Sequence, residues 1–132
     1  MIAVKIRSCV IALASLISLA GTSEAKILAS GPLYVTNGGG GALFVCRVFN
    51  AGLANVAFTS RQIISSSNTS LALSVDSCNV ALAPGKYCQF YGTIVGNNAH
   101  SCRAVAIGTD TDIRGTAQAV SGSTVLGSAP MD

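Results

Sequence analysis

The sequence predicts an all-β protein, an antiparallel β-sandwich of seven to eight short strands that follows a cleaved signal helix. Three observations lead to this fold class. An apolar leader is followed by short segments rich in valine, isoleucine, threonine, serine and glycine, residues that favour strands and turns. Turn residues separate these segments at intervals of about 8 to 12 residues, as in sandwiches. Four cysteines remain beyond the leader, an even number that suits two disulfides.

The leader has the three parts of a secretory signal peptide. Lys5 and Arg7 make its start positive, and residues 9–20 form the apolar centre. Ser23-Glu24-Ala25 ends it with small residues at the first and third positions, which signal peptidase accepts. The apolar centre is shorter than the roughly 20 residues needed to span a bilayer. We therefore predict a signal peptide over residues 1–25 that is removed after Ala25.

The remaining chain, residues 26–132, is long enough for one small domain and too short for two. Charged residues make up 10% of the full sequence, whose formal net charge is +3, and those beyond the leader are scattered singly. Nucleic-acid binding is not expected, because it requires a basic patch. Disorder is not expected either, because half of the residues are apolar. The predicted localisation is secreted or periplasmic, without a membrane span after signal cleavage.

Alternating or β-branched segments define the predicted strands. In the predicted strand over residues 42–50, Arg47 is expected to face water, which directs Phe44, Cys46 and Val48 to the core. Pro84-Gly85 suits the two central positions of a type II turn. The predicted strands are 33–36, 42–50, 55–64, 71–75, a hairpin over 78–95, 101–108, 113–120 and 124–126.

The four cysteines permit three pairings. Zinc would favour closely spaced pairs such as C-x₂-C, which the chain lacks beyond the leader, so disulfides are preferred. Cys78 and Cys88 flank the Pro-Gly turn, and their bond requires a small bulge or a loop longer than the ideal turn. Cys46 and Cys102 then pair by elimination. A bond between two apolar strands distant in sequence is typical of an immunoglobulin-like sandwich.

Four sequence stretches have a recognisable pattern: "VCRVFNAG" from Val45, "LAPG" from Leu82, "SCRAVAIG" from Ser101 and "DIRG" from Asp112. Together they resemble a group of small exported bacterial β-sandwich proteins without an established activity. The resemblance implies a Cys46–Cys102 bridge and a late strand that begins near Arg114. It carries over no catalytic or binding residue, and the Cys78–Cys88 pair departs from the group's pattern.

His100 is the one histidine of the chain and precedes Cys102 in a predicted turn, where we expect it to be solvated. A hydrolase could combine it with Ser101 and either Asp110 or Asp112. The serines lack the Gly-x-Ser-x-Gly surroundings of a strained nucleophile elbow. We therefore expect no enzymatic activity and keep a hydrolase using His100 as the third hypothesis.

Other candidate ligand-binding residues are two aspartates and three tyrosines. Asp110 and Asp112 fall short of the six to eight oxygen ligands of calcium, so neither a metal nor another cofactor is expected. Among Tyr34, Tyr87 and Tyr91, the last two are four residues apart on one strand and therefore point the same way, about 13 Å apart. Such a pair could stack on an extended glycan.

The leading functional hypothesis is a non-enzymatic exported module that interacts with a protein or glycan partner or belongs to the cell envelope. The second is a fimbrial-type structural subunit that assembles by strand donation. Strand donation requires an alternating amino-terminal extension, and residues 26–32 are few and interrupted by glycine and proline.

Overall fold

The computed structural model describes residues 24–36, 40–108 and 112–132, which contain nine strands and no helix. Of the predicted signal peptide, residues 1–25, Glu24 and Ala25 are described, and residues 1–23 lie outside the described residues. Within the described ranges no helical segment has the length and hydropathy of a membrane span. The strands are β1 Glu24–Ala29, β2 Leu33–Val35, β3 Leu43–Asn50, β4 Ala57–Ser65, β5 Val75–Asp76, β6 Tyr87–Thr93, β7 Asn98–Gly108, β8 Ile113–Ser121 and β9 Thr124–Met131.

Two antiparallel sheets form a sandwich-like arrangement. In the four-stranded sheet, β7 is central: β4 pairs with one edge, and β1 and then β2 pair with the other. The five-stranded sheet has the order β5-β6-β3-β8-β9. The predicted all-β class is therefore confirmed, with nine strands in place of seven or eight.

The hydrophobic core lies between the two sheets. Strand β3 alternates as predicted, because Phe44, Cys46 and Val48 are buried whereas Arg47 is exposed. In the other sheet Cys102, Ala104 and Ala106 of β7 are all fully buried. The period of two along each strand thus gives each sheet one apolar face, and the two apolar faces meet.

The cysteines form the two predicted pairs at disulfide distance. Cys46 of β3 and Cys102 of β7 have Cα atoms 5.8 Å apart, so their bond joins the two sheets through the core. Cys78 and Cys88 have Cα atoms 5.1 Å apart. Two disulfides are typical of proteins in oxidising, extracytoplasmic compartments.

The Cys78–Cys88 pair lies in a ladder that differs from the predicted hairpin. The Pro84-Gly85 turn forms, with Gly85 at φ +70° and a hydrogen bond from the Lys86 N–H to the Ala83 carbonyl. Residue 82 pairs with residue 56 of another segment, however, and does not continue a hairpin. The two cysteines meet because β5 pairs with β6 and the ladder runs on toward them. The chain between the two cysteines is therefore a loop longer than the ideal turn, which is one of the two alternatives predicted from their spacing.

The strand predicted over 71–75 is shortened to Val75–Asp76. The Leu71 N–H donates to Ile63 of β4, and the Ser74 N–H donates to Tyr91 of β6, so this segment crosses from one sheet to the other. A Cβ atom at Gly92 would lie 2.4 Å from the Ala72 carbonyl oxygen. The crossing chain therefore passes too close to β6 for any side chain at position 92.

Two edge elements exceed the prediction. Strand β1, Glu24–Ala29, was not predicted, and β9 continues to Met131 where the prediction ends at residue 126. Both contain or adjoin glycine and proline, which suggest turns in a sequence. Edge strands tolerate these residues, because one side of an edge strand need not donate hydrogen bonds.

Ser30 lies between β1 and β2, directly before residues 31–32 (Gly-Pro), which separate the two strands. Its N–H donates to the Cys102 carbonyl at 3.0 Å, and its Oγ accepts the Cys102 N–H at 2.9 Å. Both residues are buried. A side-chain oxygen thus replaces a backbone carbonyl in the ladder beside the core disulfide.

Asn50 ends β3 and is fully buried. Its Nδ2 donates to the carbonyls of Ala54 at 2.8 Å and Leu82 at 2.9 Å, and its Oδ1 accepts the Gly52 N–H at 3.0 Å. One amide therefore holds the β3–β4 turn against the loop that precedes β6.

Candidate functional site

The outer face of the five-stranded sheet is the candidate functional site. Directly opposed residues of an antiparallel pair lie on the same face, so the register defines rows across the sheet. One row runs from Tyr87 of β6 through Phe49 of β3 to Arg114 of β8. The next row on this face places Arg47 between Gln89 and Thr116.

The first row exposes aromatic surface. Tyr87 is 70% exposed and Phe49 is 43% exposed, although an apolar ring of Phe49's size is usually buried. Adjacent strands are about 4.8 Å apart, so the row covers roughly 10 Å. Tyr87, Phe49, Arg47, Arg114 and Thr116 contribute to an open pocket of about 270 Å³.

Arg47 lies in the centre of this face between two glutamines. Its Nε is 3.5 Å from Oε1 of Gln89, and its Nη1 donates to Oε1 of Gln118. These amides orient the guanidinium without neutralising its charge. At the end of the neighbouring row Arg114 is 76% exposed, with Nε 3.6 Å from Oδ1 of Asp112.

Tyr91 lies on the same face as Tyr87, as the sequence predicts. It opposes Val45 of β3 and Val75 of β5, and it is partly buried between them. Tyr34 lies elsewhere: it is 69% exposed on the outer side of the four-stranded sheet, in β2. The structure therefore brings together two of the three predicted tyrosines.

Phe49 and Arg114 were missed as site residues. The alternation that places Arg47 outward also places Phe49 outward, so the sequence contained a signal for it. Arg114 joins the row only through the pairing of β8 with β3, which requires the register of strands that are far apart in sequence. A single sequence does not provide that register.

His100 does not lie in a solvated turn, and that expectation was wrong. It belongs to β7, where it opposes Leu33 on one side and Ser65 on the other, and it is 1% exposed. Its ring centroid is 5.5 Å from that of Phe44, and its Nδ1 is 3.1 Å from the Asn98 carbonyl oxygen. His100 is therefore a packed core residue whose ring nitrogen lies within hydrogen-bonding distance of a backbone carbonyl.

Of the two aspartates considered for calcium, the structure describes Asp112. Asp112 lies beside Arg114, and Asp110 is outside the described residues. Within residues 24–36, 40–108 and 112–132, no three histidine, cysteine, aspartate or glutamate side chains gather as a metal site would require.

Comparison of the chain with known protein families, with curated proteins and with solved structures gives no match. The resemblance to small exported bacterial sandwich proteins therefore remains a prediction from the sequence.

Proposed function

We propose that this chain is a non-enzymatic, exported binding module, and that its ligand is an extended glycan carrying acidic groups. The ligand lies across the outer face of the five-stranded sheet. The observation that carries the proposal is the exposed Tyr87–Phe49 pair, bordered by Arg47 and Arg114.

Aromatic side chains suit sugar rings, because their apolar faces pack against the C–H faces of a pyranose. The face also offers hydrogen-bonding groups, since Gln89, Gln118 and Thr116 lie in or beside the rows that contain Arg47. Amide and hydroxyl groups both donate to and accept from sugar hydroxyls. Tyr91 lies about 13 Å farther along β6 than Tyr87, a distance that favours a chain of sugars over a single one.

The acidic character of the ligand follows from Arg47. The ion pairs within the described residues are Arg61–Asp76 and Arg114–Asp112, so Arg47 has no carboxylate partner there. Arginine binds carboxylate, sulfate or phosphate through parallel N–H donors. A ligand with such groups would neutralise the positive charge of Arg47 at the centre of the face.

Replacing Tyr87 with alanine is expected to weaken binding to an acidic polysaccharide such as polygalacturonate by about tenfold, the loss of roughly 1.4 kcal/mol typical of a contributing interface residue. Calorimetry or affinity electrophoresis would measure it. The Arg47→Gln variant should lose affinity most at low salt, because salt screens exposed charges.

Tyr34→Ala is the matched control, since Tyr34 is as exposed as Tyr87 but lies on the other sheet. It should leave affinity unchanged. Equal losses for Tyr34→Ala and Tyr87→Ala would contradict the proposed face. Equal affinity of the native protein for neutral amylose would contradict the acidic ligand, and binding to neither polymer would contradict the glycan.

Export also belongs to this proposal and is supported by the leader and the paired cysteines. We expect the exported protein to begin at Lys26, which leaves Lys26–Ala29 of β1 in place. Intact-mass measurement of the protein recovered from the periplasm or medium would test this start. A species that retains residues 1–25 would show that the apolar segment acts as an anchor.

A further inference from the structure

The amino-terminal ribbon, residues 24–35, pairs along β7 and makes one further bridge to the end of β9. It contains β1 and β2 and lies along one edge of β7, whose opposite edge is already paired with β4. Leu28 is fully buried and Val35 is 4% exposed, so the ribbon completes the core. Its inward side chains alternate within each strand, as those of a donated strand would.

No disulfide ties the ribbon to the body of the domain, residues 43–132. Both bonds lie within the body, and Cys46–Cys102 joins its two sheets directly. The ribbon is held by the β7 ladder, by the Ser30 and Cys102 hydrogen bonds, and by the pairing of Ser30 with Met131 at the end of β9. All of these contacts are non-covalent.

A second copy of the chain offers an identical edge to the ribbon. The contacts made with β7 of another copy would be the same as those made within one chain, so complementarity is complete. Residues 36–42 connect the ribbon to β3 and contain four consecutive glycines. Seven residues span at most roughly 23 to 25 Å, more than the separation of about 10 Å between packed sheets.

We propose that copies of this protein exchange the amino-terminal ribbon, so that the ribbon of one copy completes β7 of the next. The proposal is independent of the glycan ligand. It favours the strand-donating subunit among the hypotheses raised by the sequence, because the segment before β3 forms strands on both sides of the Gly-Pro interruption.

Cross-linking between two differently marked copies tests this exchange. Ile27 and Val105 oppose each other between β1 and β7. Hydrogen-bonded and non-hydrogen-bonded pairs alternate along an antiparallel ladder. Ser30 and Cys102 form a hydrogen-bonded pair. Ile27 and Val105, three positions away, therefore form a non-hydrogen-bonded pair. Such pairs have Cα atoms about 4.5 Å apart, within the range of a disulfide. One copy carries Ile27→Cys and the other carries Val105→Cys.

The two variants are unfolded together in guanidinium without reductant, refolded at pH 5 over a range of concentrations, and then oxidised at pH 8. We expect a disulfide-linked heterodimer whose yield rises with the concentration during refolding. Peptide mapping should locate the new bond between positions 27 and 105. Size-exclusion chromatography of the unsubstituted protein, treated in the same way, should show dimers or a ladder of oligomers.

Two controls make the result decisive. Ile27→Cys mixed with Thr59→Cys should give only background cross-linking, because Thr59 is an exposed residue of β4, on the other side of β7. A single chain with both Ile27→Cys and Val105→Cys should close internally and remain monomeric when refolded in dilute solution. Internal closure without a heterodimer above the Thr59 background would overturn the proposal.

Discussion

Replacing Cys46 and Cys102 together with alanine is expected to lower the free energy of unfolding by about 2 to 5 kcal/mol and to prevent folding at 37 °C if the native margin is small. The bond joins the two sheets within the core, and both cysteines are fully buried. On the chain-entropy model, a closed loop of this length, with a sequence separation of 56, contributes about 4 kcal/mol. Denaturant unfolding of the double variant would measure the loss.

The Cys78→Ala/Cys88→Ala variant is the natural comparison. It opens a loop with a sequence separation of 10, for which the same model gives about 3 kcal/mol. The Pro84-Gly85 turn already restrains this loop in the unfolded chain. We therefore expect the smaller loss here. Equal losses would refute this order, and non-reducing peptide mapping that joined Cys46 to Cys78 or Cys88 would refute the topology.

Replacing Asn50 with alanine is expected to destabilise the domain by about 3 kcal/mol, although no apolar contact of a large side chain is lost. The amide satisfies two carbonyls and one N–H. The Leu82 carbonyl keeps its hydrogen bond from the Val56 N–H, so the Ala54 carbonyl and the Gly52 N–H are the groups most affected. A buried polar group left without a partner costs about 1 to 3 kcal/mol, and water that enters the cavity recovers part of this. The loss should appear as a lower denaturant midpoint with an unchanged slope.

Two further variants control the Asn50 result. Asn50→Asp keeps an acceptor for the Gly52 N–H but removes both donors, so it should be at least as destabilising as alanine. Asn55→Ala changes an exposed asparagine beyond the same turn and should stay within about 0.5 kcal/mol of the native protein. An Asn50→Ala protein as stable as Asn55→Ala would show that water replaces all three hydrogen bonds.

Features set by neighbouring residues could be predicted from the sequence. The alternation around Arg47 places each side chain of β3 on the correct face, and Pro84-Gly85 forms a turn where their backbone preferences require it. The strand class of most segments follows from the same local rules. These predictions succeed because their causes lie within a few residues.

Features set by distant partners could not be predicted. Strand β1 forms because β7, far along the chain, supplies its ladder. His100 is buried because β7 is paired on both edges and its ring packs against Phe44 of the facing sheet. The same limit applies to the site. Tyr87 and Tyr91 share a face through local periodicity, whereas their juxtaposition with Phe49 and Arg114 depends on the register of three strands.

The position of the Cys78–Cys88 bond couples the candidate binding face to the redox state of the surroundings. Tyr87 directly precedes Cys88 on β6, and the bond fixes the chain beyond β5 to the start of that strand. A thiol reductant would release the segment around Cys78 from β6 and so remove a restraint beside Tyr87. The face would then keep its full geometry only where the bond stays oxidised, so under the proposed function we expect the reduced protein to bind its ligand less tightly.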